Sequence, residues 1–240
     1  MPHLILSDIH GNLEALHAVL DDAAGRYDRI LCLGDVVGYG ADPNAVAEWA
    51  RSNADVTVRG NHDKDCCGTD SLEHYRPLAI ASTMWTRTQL TPENAEYLRS
   101  LPRGPLRYED FDLVHGSPGD EDEYLLDLAD VIPAREHIGA QATFFGHTHI
   151  QGGFLLARGG VRRIVPSRAL ELEPDHLYLL NPGAAGQPRD GDPRAAYALY
   201  WPQERFIEYC RVEYDVPTAA KKIRAAGLPE SLALRLTLGT

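Results

Sequence analysis

Short apolar runs alternate with helical segments near the N-terminus, and this order limits the fold more strongly than any other feature of the chain. Apolar runs at residues 3–9, 29–33 and 54–59 predict buried strands. Apolar residues recur at helical spacing after the first run, and Pro43 begins a second helical segment with Asp42 as its expected N-cap. Strands that alternate with helices predict a parallel or mostly parallel sheet.

The remainder of the chain predicts further helices and a second sheet. Residues 72–101 have helical periodicity with a break at Thr91-Pro92. Strands are then expected at residues 106–108, 111–114 and 142–145. Five later strands, at 154–157, 161–165, 176–180, 196–201 and 206–214, are expected to form a second, largely antiparallel sheet. Helices at 217–226 and 231–238 follow. The predicted fold class is α/β, an α+β sandwich of two mixed sheets packed face to face with flanking helices, in a single domain over residues 1–240.

Five short polar clusters occur along the chain, and most of them follow a predicted strand. The clusters are Ser7-Asp8-Ile9-His10, Gly34-Asp35, Gly60-Asn61-His62-Asp63, His115-Gly116 and Gly146-His147-Thr148-His149. Ligands of open α/β sheets bind at the carboxyl ends of the strands, so we expect these clusters to meet. Two carboxylates, an amide oxygen and four imidazoles suit Mn, Fe, Co, Ni or Zn, and are too rich in nitrogen for Mg or Ca alone.

The spacing within the clusters favours chelation. Asp8 and His10 are separated by one residue, as are His147 and His149, and such residues point the same way in an extended strand. A carboxylate can bridge two metals, and two metals about 3.5–4 Å apart can hold a phosphoryl group and lower the pKa of a bridging water. The clusters therefore allow a dinuclear metal centre.

The charge balance and the cysteine content exclude several classes of protein. Lys and Arg number 23 against 35 Asp and Glu, which gives a net charge of −12, so we expect no nucleic-acid polymer as a partner. The four cysteines are too scattered for a disulfide scaffold, and Cys66 and Cys67 are expected to pack in the core. With no leader pattern and no apolar run that could span a membrane, we expect a cytoplasmic protein with no membrane partner.

The order of the clusters resembles the calcineurin-like metallophosphoesterase superfamily. Its pattern of D-x-H, G-D, G-N-H-[DE], H and G-H-x-H is matched without a gap, and the resemblance covers nearly the whole chain. The chain is most similar to the small bacterial and archaeal phosphodiesterase branch, for which the typical segments are Gly34-Asp35-Val36-Val37-Gly38-Tyr39-Gly40, His115-Gly116-Ser117-Pro118, Asn181-Pro182-Gly183 and Gly186-Gln187-Pro188-Arg189.

The resemblance implies two divalent transition-metal ions, with manganese as the first expectation and Fe, Ni, Co or Zn as alternatives. It implies that Asp35 bridges the two ions. The implied ligands are Asp8, His10, Asp35 and His149 for one metal, and Asp35, Asn61, His115 and His147 for the other.

The resemblance gives His62 and Asp63 catalytic roles without metal binding. His62 would face the substrate, stabilise the phosphoryl oxygens and protonate the leaving group, and Asp63 would orient His62. No protein nucleophile is required, because a metal-bridging hydroxide would attack the phosphorus in line.

One departure from the superfamily concerns the substrate. Protein serine/threonine phosphatases carry an arginine soon after the bridging aspartate, where this chain has Gly38-Tyr39-Gly40. The missing arginine argues against a phosphoprotein substrate. Arg189, in a predicted surface loop, is a weaker candidate for contact with a substrate phosphate.

We therefore expect a phosphodiesterase that acts on a small phosphoester. A phosphomonoesterase or a nucleotide pyrophosphatase is the alternative, because the same core can support each reaction. A metal-binding scaffold protein with weak catalysis is a third interpretation, although no ligand of the pattern is missing. The pattern leaves the oligomeric state open, with a dimer surface on the late strands and helices as one arrangement.

Overall fold

Two six-stranded sheets form the framework of the computed structural model, which describes residues 1–68, 71–73, 75–166 and 169–240. The first sheet contains, in spatial order, β3 (Val56–Thr57), β2 (Arg29–Cys32), β1 (His3–Leu6), β11 (Ala195–Trp201), β12 (Phe206–Val212) and β9 (Ala169–Glu171). The second contains β4 (Leu106–Tyr108), β5 (Phe111–Leu113), β6 (Ala142–Phe144), β10 (Leu177–Asn181), β7 (Gly152–Ala157) and β8 (Gly160–Ile164).

Both sheets are mixed, and each has parallel strands next to the polar clusters. Strands β1, β2 and β3 are parallel, and the antiparallel strand β11 lies on the other side of β1. Strand β6 is parallel to both β5 and β10. The parallel strands of each sheet therefore direct their carboxyl ends toward one edge, where ligand-binding loops are expected.

The inner faces of the two sheets share one apolar core. Ile5 and Leu31 of the first sheet pack with Phe111 and Phe144 of the second, and all four side chains are fully buried. Leu4, next to Ile5, belongs to a different cluster on the outer face, as the alternation of side chains along a strand requires. The predicted fold class, two mixed sheets packed face to face, is confirmed.

Helices cover the outer faces of this sandwich. Their bounds in the described residues are α1 (Leu13–Ala23), α2 (Pro43–Asn53), α3 (Asn61–Cys67), α4 (Pro77–Gln89), α5 (Pro92–Ser100), α6 (Leu128–Ala134), α7 (Val216–Ala225) and α8 (Glu230–Leu238). Helices α1, α2 and α5 pack on the first sheet and α6 packs on the second. Helices α7 and α8 pack with α4 and with Tyr39, so the end of the chain lies beside the Gly38-Tyr39-Gly40 segment.

Several sequence-based expectations about these elements were wrong. Strands β11 and β12 join the first sheet beside β1, whereas we expected them in the second sheet. The helix expected from residue 72 begins at Pro77, and position 74 lies outside the described residues. Helix α3, α6 and strand β9 were not expected, because each is short and its periodicity is weak. Thr91 caps α5 as expected, but Asp42 makes no side-chain cap bond to α2.

Among the described helices, none is both long and apolar enough to cross a lipid bilayer.

We expect Phe111→Ala to lower the free energy of unfolding by about 3–5 kcal/mol, because it empties a fully buried position between the sheets. Urea denaturation measures this change. Met84→Ala is the control, since Met84 is 50% exposed and its truncation should alter the free energy by less than about 0.5 kcal/mol. A loss as small as that of the control would contradict the placement of Phe111 in the shared core.

Candidate active site

The five polar clusters meet at the carboxyl ends of the parallel strands. Main-chain hydrogen bonds join the first two clusters, from Asp8 N to Gly34 O at 3.1 Å and from His10 N to Asp35 O at 2.9 Å. The last cluster is joined to the first, since His147 N donates to the carboxylate of Asp8 at 3.2 Å. Loops from both sheets are thus fixed to one another before any ligand is considered.

Most of the candidate metal-ligand residues have main-chain conformations in the left-handed region. The φ angles are positive at Asp8, His10, Asp35, His147 and His149, between 50° and 65°. This corrects the expectation that the Asp8/His10 and His147/His149 pairs chelate from extended strands, because β1 ends at Leu6 and β6 at Phe144. Such conformations are uncommon for residues other than glycine and cluster at active sites and ligand-binding loops.

Glycines allow the loops to approach one another closely. Gly34 has a φ of +94°, and a Cβ there would lie 2.5 Å from the main-chain nitrogen of Gly60. A Cβ at Gly60 would lie 2.2 Å from Oδ1 of Asp35. No side chain fits at either position, so the Asp35 and Asn61 loops can pack backbone against backbone only with glycine there.

The first group of side chains consists of Asp8, His10, Asp35 and His149. One ligand atom from each lies within 4.8 Å of the others, and all four residues are buried. His149 Nε2 lies 3.3 Å from Asp8 Oδ1, and His10 Nε2 lies 3.5 Å from Asp35 Oδ2. The Nε2 atoms of His10 and His149 are 3.1 Å apart. Two carboxylates and two imidazoles therefore converge on one point.

The second group shares Asp35 with the first. Asp35, His115 and His147 also bring ligand atoms within 4.8 Å of one another. His115 Nε2 lies 3.3 Å from Asp35 Oδ2 and 3.1 Å from Asn61 Oδ1, so the amide of Asn61 belongs to the same group. All of the side chains that the sequence nominated as metal ligands are thus brought together in two adjoining groups.

Main-chain carbonyls fix the orientation of the imidazoles. The Nδ1 atoms of three of them donate to carbonyl oxygens, from His10 to Val37 at 3.0 Å, from His115 to Leu33 at 2.8 Å and from His149 to Gln187 at 2.5 Å. A carbonyl can only accept, so each Nδ1 carries the proton in the neutral ring and each Nε2 is left with a lone pair. This carbonyl contact behind a ligating imidazole is common at metal sites.

Burial and mutual charge shift the pKa values of these groups. Burial raises the pKa of Asp8 to about 7, and the charge of Asp35 adds to the shift. Burial would also raise the pKa of Asp35, but the charges of His115 and His62 hold it well below its usual value. Burial lowers the pKa values of His10 and His149 well below that of free histidine. Both rings are therefore neutral near pH 7, which is the form that binds metal.

These donors fit divalent transition metals. Oδ2 of Asp35 and Nε2 of His147 are buried without any hydrogen-bond partner in the described part of the chain. The facing Nε2 lone pairs of His10 and His149 would repel one another unless a cation lies between them. Buried polar atoms without partners are costly, and bound cations would satisfy them.

His62 lies beside these groups but is not part of either. It begins helix α3 with Asn61, and its main-chain N–H donates to Oδ1 of Asp35 at 2.9 Å. Its ring packs against Tyr39 at 4.4 Å between centroids and against His10 at 5.0 Å. A Cβ at Gly38 would lie 2.7 Å from His62 Nδ1, so the Gly38-Tyr39 segment sets the position of the ring.

The carboxylate of Asp63 bonds to main-chain N–H groups beside His62 rather than to the His62 ring. Its Oδ1 accepts from Val37 N and its Oδ2 accepts from Gly60 N, both at 3.1 Å. His62 Nδ1 has no hydrogen-bond partner within the described residues. The carboxylate of Asp63 therefore joins the main chain just before His62 to the Val37 loop, and the ring of His62 is held by packing.

Arg189 is the residue at the site that the sequence undervalued. Its main-chain N–H donates to His149 O at 3.1 Å, and its guanidinium carbon lies 5.5 Å from the centre of the Tyr39 ring. Its Nε is buried and makes no hydrogen bond to the described residues. The available signal was its position two residues after Gln187, whose carbonyl orients His149. Arg59, by contrast, is paired with Glu121 at 2.8 Å.

Cys66 and Cys67 belong to the apolar core on the outer face of the first sheet. Burial raises the pKa of both thiols, that of Cys66 well above its usual value. A reactive thiol needs an electropositive setting that lowers its pKa. The two cysteines are therefore packing residues behind the site.

A cavity of about 560 Å³ opens beside the second group. Asn61, His62 and His147 contribute to its wall, together with Tyr39 and Arg189. Tyr124 also lines it and stacks on the ring of His147, with 3.7 Å between centroids. Its volume is within the range of about 300–1,000 Å³ that is usual for small-molecule sites.

Comparisons with known proteins agree with this geometry. The chain is 38% identical to an uncharacterised protein of Methanocaldococcus jannaschii over 98% of this chain and 97% of that protein. It is 40% identical to a metallophosphoesterase from Sphaerobacter thermophilus, whose crystal structure matches with a TM-score of 0.88 over 100% of this chain and 99% of that one. A hypothetical protein from Pyrococcus horikoshii, 21% identical, shares the fold with a TM-score of 0.78 over 100% and 98% of the two chains. Residues 1–204 match the sequence model of the calcineurin-like phosphoesterase superfamily domain, and the chain belongs to that superfamily.

Proposed function

We propose that this protein is a dinuclear metal-dependent phosphodiesterase that hydrolyses small phosphodiesters. The observation that carries the proposal is the buried Oδ2 atom of Asp35, which has no hydrogen-bond partner among the described residues and is shared by two buried groups of imidazole and carboxylate side chains. Membership of the superfamily supports phosphoester hydrolysis in general. The choice of a small diester rests on the cavity and on the residues at its mouth.

The proposed ligand sets follow the two groups. One ion would bind Asp8, His10, Asp35 and His149, and the other would bind Asp35, Asn61, His115 and His147. The mixture of oxygen and nitrogen donors suits first-row transition metals, and manganese is the first to test. Two such ions would supply Lewis-acid stabilisation of the phosphoryl oxygens and an activated water.

We propose that His62 protonates the leaving group. Its ring lines the cavity next to Asn61 and His147 without belonging to either ligand group. Burial lowers its pKa, and the charge of Asp35 opposes that shift. A bound phosphoryl anion would add negative charge beside the ring and oppose the effect of burial, which favours the protonated form that an acid requires.

Asp63 is proposed as a positioning residue rather than as a second catalytic group. Its two oxygens hold the main-chain N–H groups of Val37 and Gly60. Val37 leads into the Gly38-Tyr39 segment that packs on His62. Asp63 would therefore keep the segments around His62 in register without touching the substrate.

Arg189 and Tyr39 support a diester rather than a phosphoprotein substrate. Arg189 reaches the site from the loop after β10, and its side chain lines the cavity beside His62 and His147. Arginine recognises phosphate through directed, charge-assisted hydrogen bonds. Tyr39, where protein phosphatases have arginine, instead forms part of the wall of a cavity large enough for the second ester group of a small diester.

Asp35→Asn should abolish binding of both metals, because one carboxylate serves both groups. Metal content measured by inductively coupled plasma mass spectrometry should fall from about two ions per chain to well below one. Asp110→Asn is the matched control, since Asp110 is exposed on the turn between β4 and β5. Full metal content and full activity in Asp35→Asn would contradict the bridging assignment.

His62→Ala should retain both metals but lose about 10²–10⁴-fold in kcat on bis(p-nitrophenyl) phosphate with manganese, because an acid–base group is removed and no ligand is lost. His17→Ala, an exposed substitution on α1, should behave as the unmodified protein. Full activity of His62→Ala would refute its role as the acid.

Comparing a diester with a monoester tests the substrate class. The unmodified protein should hydrolyse bis(p-nitrophenyl) phosphate with a higher kcat/KM than p-nitrophenyl phosphate. The reverse preference would identify a phosphomonoesterase. No turnover of either substrate with any of Mn, Ni, Co, Fe, Zn or Mg would favour the scaffold interpretation.

A further inference from the structure

The cavity beside the candidate metal centre carries three guanidinium groups. Arg76 precedes α4, Arg189 lies in the loop after β10, and Arg235 lies on α8. None of the three forms an ion pair with a carboxylate among the described residues, whereas Arg59 and Arg194 elsewhere do. This cluster of unpaired positive charge is unexpected in a chain whose net charge is −12.

Among the described residues, no acidic side chain that lines the cavity is paired with this cluster. Asp122 is the one described carboxylate in the lining, and it is paired with Lys64 at 2.8 Å. Burial lowers the pKa of Arg235, and the charges of Arg189 and Arg76 lower it further. Like charges gathered without counter-charges destabilise the free protein, and a bound anion would relieve the repulsion.

Arg189 adjoins the candidate metal ligands, because its main-chain N–H donates to His149 O at 3.1 Å. The charges of Arg189 and Arg76 both act on Arg235, and all three side chains line the cavity. One phosphoryl group at the metal centre would be served by the metals and Arg189, which leaves Arg235 and Arg76 for a further anionic group.

The remaining wall of the cavity is aromatic and aliphatic. Tyr75 and Tyr124 contribute rings, and Leu78, Leu126 and Ile150 contribute aliphatic surface. Tyr124 is 43% exposed and Leu126 is 46% exposed, although large apolar side chains are usually covered. Exposed tyrosine rings provide stacking surfaces for nucleobases.

We propose that this cavity is a binding site for a nucleoside polyphosphate, in which Arg235 and Arg76 hold a phosphoryl group other than the one at the metal centre. The tyrosine-lined wall takes the nucleoside. That the other phosphoryl group lies at the metals rests on the proposed function. Hydrolysis there would break one bridging P–O bond, with the hydroxyl of water added to phosphorus and its proton passed to the leaving oxygen.

Equilibrium binding tests the site without relying on turnover, because the guanidiniums belong to the polypeptide. Chelator-treated protein is titrated calorimetrically with ADP, AMP and inorganic pyrophosphate. ADP should bind at least about tenfold more tightly than AMP, since a charge-assisted hydrogen bond is worth about 1.5–3 kcal/mol. Arg235→Gln should weaken ADP binding by at least about tenfold and AMP binding by less than about threefold.

Matched variants separate the subsite from general charge and from misfolding. Arg194→Gln removes the same charge from an exposed arginine that is paired with Asp192, and should leave ADP binding unchanged. Arg76→Gln alters an exposed residue without disturbing packing, and it should also weaken the binding of ADP more than the binding of AMP. The phosphoryl subsite is overturned if both Arg235→Gln and Arg76→Gln bind ADP as tightly as the unmodified protein. It is also overturned if the variants lose affinity for ADP and AMP equally.

The nucleoside part of the site has its own variant. Tyr75→Leu keeps an apolar side chain but removes the ring, so it should weaken ADP binding by about fivefold and leave pyrophosphate binding unchanged. Equal losses for both ligands overturn the nucleoside assignment. If the protein fails to hydrolyse diesters but binds ADP in a way that depends on Arg235, the proposed function is refuted and the binding site is supported. If it hydrolyses diesters but its ADP binding does not depend on Arg235, the binding site is refuted and the proposed function is supported.

Discussion

The carboxylate of Asp35 links the two groups of ligand side chains, and the arrangement of the loops depends on it. Oδ1 is fixed by the main-chain N–H of His62, and Oδ2 lies 3.5 Å from His10 Nε2 and 3.3 Å from His115 Nε2. The residue is almost completely buried, so water cannot satisfy Oδ2. Bound cations would offset the cost of burying this charge, because Oδ2 accepts no hydrogen bond from the described residues.

The two-sheet sandwich stabilises the unfavourable backbone conformations of these loops. Left-handed backbone at residues such as Asp8 and His147 costs on the order of 1 kcal/mol each, and the loops would relax if they were free. They are held by strands whose inner faces share one core and by glycines that admit close backbone contact, such as Gly34 and Gly60. Loops held in this way also present the carbonyls of Val37, Leu33 and Gln187 that orient the imidazoles.

Much of this site could be predicted from the sequence, because the ligand types and their order after apolar runs are local properties. The local conformation could not, since the expected chelation of Asp8 and His10 assumed a strand that ends before both. The pairing of the strands could not be predicted either, because periodicity indicates that a strand exists but does not indicate which strand lies beside it. Arg189 was undervalued for a related reason. Its contact with Tyr39 joins residues that are distant in sequence and meet only through the fold.

The positions of Tyr39 and Arg189 separate the chemistry of the site from its selectivity. The groups around Asp35 would act on any phosphoester that reached them, since they address only the phosphoryl centre. Tyr39 lies in the cavity wall, in the segment where protein phosphatases have arginine. The positive charges in this wall come instead from the loop after β10 and from α8. Helices α7 and α8 pack with Tyr39 in one apolar cluster, and Arg235 of α8 lines the cavity, so α8 forms part of the cavity wall. Selectivity in this protein would then be set by elements that the ligand motifs do not include, and relatives with the same motifs could differ in substrate by changing those elements alone.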